Sequence, residues 1–320
     1  MLRSAPSLLS SSSALATLVG AALAGAALAL SACGGAASTT AAHNPPAQPL
    51  SAQAPDEVPV RASELKAPIA AYRRWVARQL GETAGAVATL RERLDADDVT
   101  GARAAWTRAV RAYAAIGAAY GAFGEADTQI NGSSDGRPGG DRDPHFSGLQ
   151  RVELALWHHA SLAEGRHWAQ RLAMNIATLR ERLPRLEIDP AEYLLRAHEV
   201  LENSLSLDLT GHNVRYSHEA VDVIAGREQG ATVVLGTLTP LLRIRDRSTE
   251  LRATQAMRRL SREVASLRSS GGGYPTLDAL SMRSHERLAG VLANAAQALA
   301  PVPEALDLRP PPQPRAPGLE

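Results

Sequence analysis

The chain has 320 residues, of which 45% are hydrophobic types, enough to form a sizeable core. Its formal net charge is only +1, so charge gives no indication of a nucleic-acid partner or of a broad electrostatic attraction to a membrane. Cys33 is the only cysteine, which excludes a disulfide within the chain and leaves packing to stabilise the fold.

The first 33 residues have the pattern of a bacterial lipoprotein signal. Arg3 is followed by a serine-rich run, an apolar Ala/Leu/Gly segment from Ala14 to Leu30, and the sequence "LSAC", which ends at Cys33. A plain transmembrane anchor is the alternative, but the segment is short and alanine-rich. Because the one thiol lies where a lipobox needs it, we expect Cys33 to be lipidated and the mature protein to be extracytoplasmic on the cell membrane.

Both ends of the remaining chain have compositions that are typical of linkers. Residues 34–60 are rich in Ala, Ser, Thr, Pro and Gln without a helical period, which predicts a flexible tether. Residues 307–320 are proline-rich and predict a disordered tail. The folded domain is therefore expected to span residues 61–306.

Apolar residues recur at helical spacing through the first half of this domain. The first helix is expected to end before Asp97 and Asp98, and a second helix is centred on Trp106 and Tyr113. A long loop over residues 123–145 follows. The stretch "FSGLQRVELALW" at 146–157 then predicts a third helix, and Pro184 stops a fourth.

The second half starts at a clear helix signal, with Asp189 as N-cap and Pro190 as the first helical residue. Three more helices are predicted, at about 217–238 with an end near Pro240, at 248–269, and at 276–300. The sequence contains no alternating β-branched run long enough to suggest a sheet. We therefore predict an all-α fold of two four-helix bundles, at about 67–183 and 190–300.

A polar pair interrupts the apolar third helix. Gln150 and Glu153 are three residues apart, so they share one helix face. A carboxylate that faces a bundle interior needs a cation, a metal or a network of donors. We expect Glu153 to face the inside of the first bundle or its junction with the second, within reach of the Asp127 loop and the His218 segment, where it is a candidate metal ligand. The alternative is an ordinary surface carboxylate paired with an arginine.

Two other segments concentrate acidic residues and histidines. The loop at 123–145 contains Asp127 and His145, and for most of its acids a solvated connector is the simpler interpretation. The segment 202–222 contains Glu202 and His218. For His218, a backbone-satisfied histidine at a helix start is as plausible as a metal ligand.

The same residues resemble a known family. "FSGLQRVELALW" is similar to the signature of the imelysin-like family, in particular its EfeO/EfeM-type iron-uptake lipoproteins, which has Phe-x-Gly-x-His-x-x-Glu followed by Leu-Trp. The segments "AAWTRAVRAYAAIGAAYGAFGEADTQING", "LTGHNVRYSHEAVD" and "GATVVLGTLTPLL" resemble the family as well. The likeness covers nearly the whole exported domain.

The resemblance implies a surface-tethered protein that binds iron, Fe(II) or Fe(III), and passes it to a permease of the EfeU type. By matched position it implies that Glu153 is a ligand, with Asp127 and His218 as contributors and Glu202 as a weaker candidate. Carboxylate and imidazole ligands suit iron. Gln150 replaces the family's histidine, and an amide oxygen is a weaker ligand than imidazole, so His145 or another group would have to complete the site.

Two other classes of function are alternatives to iron binding. The scaffold could have lost its metal and recognise another ligand, such as an acidic polysaccharide or a protein partner. A peptidase is disfavoured, because the sequence has no His-Glu-x-x-His and the motif histidine is absent. We therefore predict a non-enzymatic, lipid-anchored iron-binding protein.

Overall fold

The computed structural model describes residues 60–308. The predicted signal with Cys33, the linker up to residue 59 and the tail from residue 309 lie outside the described residues. In the described part the backbone is almost entirely helical, with eleven α-helices: α1 Ala62–Asp95, α2 Val99–Ala114, α3 Tyr120–Phe123, α4 Glu125–Asn131, α5 Leu149–Glu153, α6 Leu162–Arg182, α7 Pro190–Asn203, α8 Ala220–Arg245, α9 Arg247–Ser266, α10 Met282–Leu299 and α11 Val302–Ala305.

The prediction of an all-α fold is confirmed. Between residues 60 and 308 the one β-type contact is an isolated bridge between Val60 and Leu308. None of the helices in this range is both long and apolar enough to cross a membrane.

Local sequence signals account for several helix ends. The carboxylate of Asp189 accepts hydrogen bonds from the N–H groups of Ala191 (2.9 Å) and Glu192 (3.0 Å), and Pro190 occupies the first turn of α7. These contacts satisfy backbone donors that would otherwise lack a partner. The predicted start of α7 is confirmed.

Three predicted boundaries are wrong. Pro240 lies inside α8, which continues to Arg245. Proline has no N–H to donate to the carbonyl of Gly236, but Gly236 is exposed, so water can satisfy this carbonyl. The last long helix begins at Met282, where Ser281 caps it, and not at 276. The predicted loop at 123–145 contains a helix of two turns, α4, which packs against α6.

The helices pack as two groups. In the first, α1 contacts α2 and α6, and the short helices α4 and α5 complete the group; in the second, α7, α8, α9 and α10 pack around one another. Buried side chains of both groups belong to one continuous core. The bundle limits of 67–183 and 190–300 stay predictions, since this core has no gap at 184–189.

Two glycines of α8 allow the groups to approach closely. A Cβ atom added to Gly226 would lie 2.2 Å from the carbonyl oxygen of Arg111, and one added to Gly230 would lie 2.4 Å from that of Ala115. Only glycine avoids these clashes with the end of α2. The junction of the two groups therefore runs past Arg111, beside the buried carboxyl groups described next.

Candidate functional site

Helix α5 carries the sequence motif and is fixed at its N-terminal end. Gly148 precedes it with φ of 88°, and a Cβ atom there would lie 2.3 Å from the carbonyl oxygen of Ile130, so the position requires glycine. The Trp106 indole donates a hydrogen bond to the carbonyl of Leu149 (2.9 Å). After Glu153 the helix widens into a π-helical turn, Leu154–His158, a feature that often occurs at functional sites.

Glu153 is buried at the junction of the two helix groups, with 1% of its surface exposed. Its Oε1 accepts hydrogen bonds from the N–H of Ser217 (2.8 Å), the hydroxyl of Ser217 (2.7 Å) and the N–H of Tyr216 (3.2 Å). These donors favour the ionised form, but burial outweighs them and raises the pKa of Glu153 to about 7. The prediction that Glu153 faces inward is confirmed.

Two further carboxyl groups are electrostatically coupled to this region. Burial raises the pKa of Glu219 to about 7, and the charges of Asp222 and Glu153 add to the shift. Burial also raises the pKa of Asp222 to about 6, although Arg111 forms an ion pair with it at 3.0 Å and acts in the opposite direction. Near neutral pH these three carboxyl groups therefore hold protons more readily than exposed acids do.

Gln150 takes part in a partly buried hydrogen-bond network. Its Nε2 donates to Oδ1 of Asn213 (3.0 Å), and Asn213 donates to Oδ1 of Asp208 (3.0 Å). The Oδ2 atom of Asp208 lies 2.8 Å from Nε of Arg227, although the angle is not that of a hydrogen bond. The glutamine thus links α5 to a buried ion pair, a role that the sequence did not indicate.

Asp127 lies on α4, where it accepts a hydrogen bond from the Tyr113 hydroxyl at 2.8 Å. Burial raises its pKa to about 6, while the nearby positive charge of Arg227 acts in the opposite direction. Asp127 is therefore on the side of the junction where the Gln150 network ends. Within residues 60–308 no hydrogen bond or ion pair joins it to Glu153.

The other predicted ligands lie closer to the surface. His218 directly follows the two residues that donate to Glu153, but its side chain is exposed and its backbone has a φ of 60°. Its carbonyl accepts a hydrogen bond from the N–H of Leu277 (2.8 Å). Glu202 is exposed on α7, and His145 is exposed before α5.

The structure thus brings Glu153 to the His218 segment but not to Asp127 or Glu202. In the described part of the chain, no three His, Cys, Asp or Glu side chains are arranged to hold a metal ion. Sequence reasoning missed the donors of Tyr216 and Ser217 and the pair of Arg111 with Asp222. The resemblance of the Tyr-Ser-His segment to the family could have indicated the donors Tyr216 and Ser217.

Comparisons with known proteins agree with this architecture. The model of the imelysin family (Peptidase_M75) matches residues 68–301. The chain is 20% identical to the iron uptake system component EfeM of Pseudomonas syringae pv. syringae (strain B728a) over 74% of this chain and 83% of that protein. It is 21% identical to an EfeM/EfeO family lipoprotein of Staphylococcus aureus (strain MRSA252), over 71% and 80% of the two chains.

A third relative is longer than this chain. The iron uptake system component EfeO of Escherichia coli (strain K12) is 22% identical over 72% of this chain, and the match spans 62% of that protein. Because the family model covers nearly all of the described helical domain, the chain belongs to the imelysin family.

Proposed function

We propose that the chain is a lipid-anchored, extracytoplasmic component of an EfeO/EfeM-type iron uptake system and that it binds iron as its cargo at Glu153. The observation that carries this proposal is the buried Glu153 carboxyl, whose pKa is raised to about 7 at the position of the family's motif glutamate. The names of the relatives support the iron-uptake part.

The electrostatics of the junction favour a cation. Glu153, Glu219 and Asp222 all have raised pKa values, and in the described part of the chain only Asp222 of these three forms an ion pair, with Arg111. A divalent or trivalent cation would neutralise this group and favour its ionised form. Oxygen ligands of this kind suit iron, Mn(II) and other hard or intermediate ions.

The proposed ligand set starts with Glu153 and includes Glu219, whose pKa the charge of Glu153 helps to raise. His218, Asp127 and Glu202 belong to the set as groups that approach when the cation binds, because none of them contacts Glu153 in the described structure. Gln150 is engaged by Asn213 at 3.0 Å and offers only an amide oxygen. We therefore expect the affinity for iron to be weak.

The anchor and the partners follow from the same proposal. Cys33 carries the lipid, an iron permease of the EfeU type receives the cargo, and the protein has no peptidase activity. Replacing Cys33 by serine should release the protein from the membrane fraction. Fractionation of wild type and Cys33→Ser cells tests this, and an unchanged membrane fraction for the variant would exclude the anchor.

Calorimetry with Mn(II), and with Fe(II) under anaerobic conditions, tests the metal site. We expect Glu153→Gln to weaken binding at least tenfold, because an amide carries no charge, and we expect Glu181→Gln to leave it unchanged. Glu181 is the matched control, since it is an exposed glutamate on α6. Equal affinities for wild type and Glu153→Gln would rule out a site at this residue.

One observation favours the alternative of a non-metal binding module for an acidic polysaccharide or a protein. Oε1 of Glu153 already accepts three hydrogen bonds from residues 216 and 217, so the carboxylate can be satisfied without a metal. Wild-type protein that binds neither Mn(II) nor Fe(II) would select this alternative.

A further inference from the structure

The corner between α8 and α9 combines exposed aliphatic and basic side chains. Ile244 is 82% exposed, more than any other large hydrophobic residue among residues 60–308, and Leu251 is 53% exposed. Arg243, Arg247 and Arg252 are exposed on the same short stretch, 243–252. We call these five residues the α8–α9 corner.

Neither acid of this stretch is among its exposed residues. Asp246 caps α9 by accepting hydrogen bonds from the N–H (2.9 Å) and hydroxyl (2.6 Å) of Thr249. Glu250 is only 4% exposed, and its carboxylate lies 3.7 Å from Arg243. The outer surface of the corner is therefore basic and apolar, although the chain as a whole is nearly neutral.

The chain enters the described domain beside this corner. The N–H of Val60 bonds to the carbonyl of Asp307 (2.8 Å), which fixes the start of the domain. Four residues later, Glu64 accepts a hydrogen bond from Arg245 of the corner's own helix at 2.8 Å. The segment that leads back to Cys33 thus joins the domain next to residues 243–252.

We infer that the α8–α9 corner docks on the surface of an anionic lipid bilayer. Arginines attract anionic lipid headgroups, and aliphatic side chains between them bury their surface at the boundary of headgroups and acyl chains. This inference rests on the lipid anchor of the proposed function for keeping the corner near the membrane. The segment from Cys33 to Val60 spans at most about 90 Å. A tether adds to such binding by raising the effective concentration of the patch at the bilayer, and the patch itself binds the anionic surface without it.

An environment-sensitive dye can test the docking without the lipid anchor. The mature chain with Cys33→Ser has no thiol, so Ile244→Cys provides one unique labelling position. Met282→Cys is the matched control, because Met282 is 79% exposed and lies at the other end of the antiparallel α9–α10 pair. Vesicles of phosphatidylglycerol and phosphatidylethanolamine provide the anionic surface, and phosphatidylcholine vesicles provide the neutral one.

We expect dye at position 244 to shift to the blue with anionic vesicles and dye at 282 to keep its emission. Arg243→Gln and Arg247→Gln should each weaken the vesicle titration about fivefold, which corresponds to about 1 kcal/mol per arginine. Arg283→Gln, an exposed arginine beside the control position, should have no effect.

A response that is equal at positions 244 and 282, or absent at 244, would overturn the proposal. So would equal shifts with anionic and neutral vesicles. These outcomes do not depend on lipidation, because the tested chain lacks the anchor. Failure of the Cys33→Ser fractionation experiment would instead refute the anchor and leave a positive dye result intact.

Discussion

Glu153 should make the stability of the metal-free protein decrease as the pH rises. Its pKa is raised from 4.5 to about 7 in the folded state, so the folded protein holds this proton over a range where the unfolded chain has lost it. The free-energy penalty for burying the ionised carboxylate is absent below about pH 4.5 and is complete above about pH 7.

The expected size follows from this shift. At 1.36 kcal/mol per pKa unit, the rise from 4.5 to about 7 corresponds to about 3 kcal/mol, most of which develops between pH 5 and pH 8. Glu153→Gln keeps an acceptor for Ser217 and Tyr216 but cannot ionise. The variant should therefore lose about 2–3 kcal/mol less than wild type over this range.

Urea unfolding at pH 5, 6, 7 and 8 measures the difference, with metal removed by chelation. Glu181→Gln, with its exposed side chain, should follow the wild-type pH profile. If wild type and Glu153→Gln lose stability in parallel from pH 5 to pH 8, then burial does not raise the pKa of Glu153, and the electrostatic argument for a cation at this residue fails.

Three further predictions concern the junction between the helix groups. Gly226→Ala should destabilise the protein by about 1–3 kcal/mol, because its Cβ would clash with α2. A Cβ at Gly236 on the same helix has no atom within 4 Å, so Gly236→Ala should be neutral or stabilising by up to about 1 kcal/mol. Urea unfolding of both variants checks this. Arg227→Met should cost about 3–5 kcal/mol, since it leaves Asp208 buried without a cation, and adding Asp208→Asn should restore most of the loss in the same assay. Gln150→His should strengthen Mn(II) binding about tenfold, or about 1.4 kcal/mol, and equal calorimetric affinities would show that residue 150 takes no part in a metal site.

Local patterns along the chain determined the helices. The apolar spacing of residues 62–95 makes one face of α1 suitable for burial, and all of its apolar positions are close enough in sequence to be recognised together. Asp189 and Pro190 begin α7 by contacts within the next three residues. The inward position of Glu153 followed likewise from the apolar residues that surround it on α5.

Only the tertiary structure decided what these residues contact. Glu153 is paired with residues 216 and 217, Gln150 with Asn213, and Arg111 with Asp222, and each partner lies 63 to 111 positions away in sequence. The contact between Arg111 and Asp222 depends on how closely α2 and α8 approach. Gly226 permits this approach because it packs against the carbonyl of Arg111, an effect that no local helix propensity predicts. The sequence alone therefore predicted that Glu153 is buried, and the packing of the two helix groups determined its hydrogen-bond partners and its raised pKa.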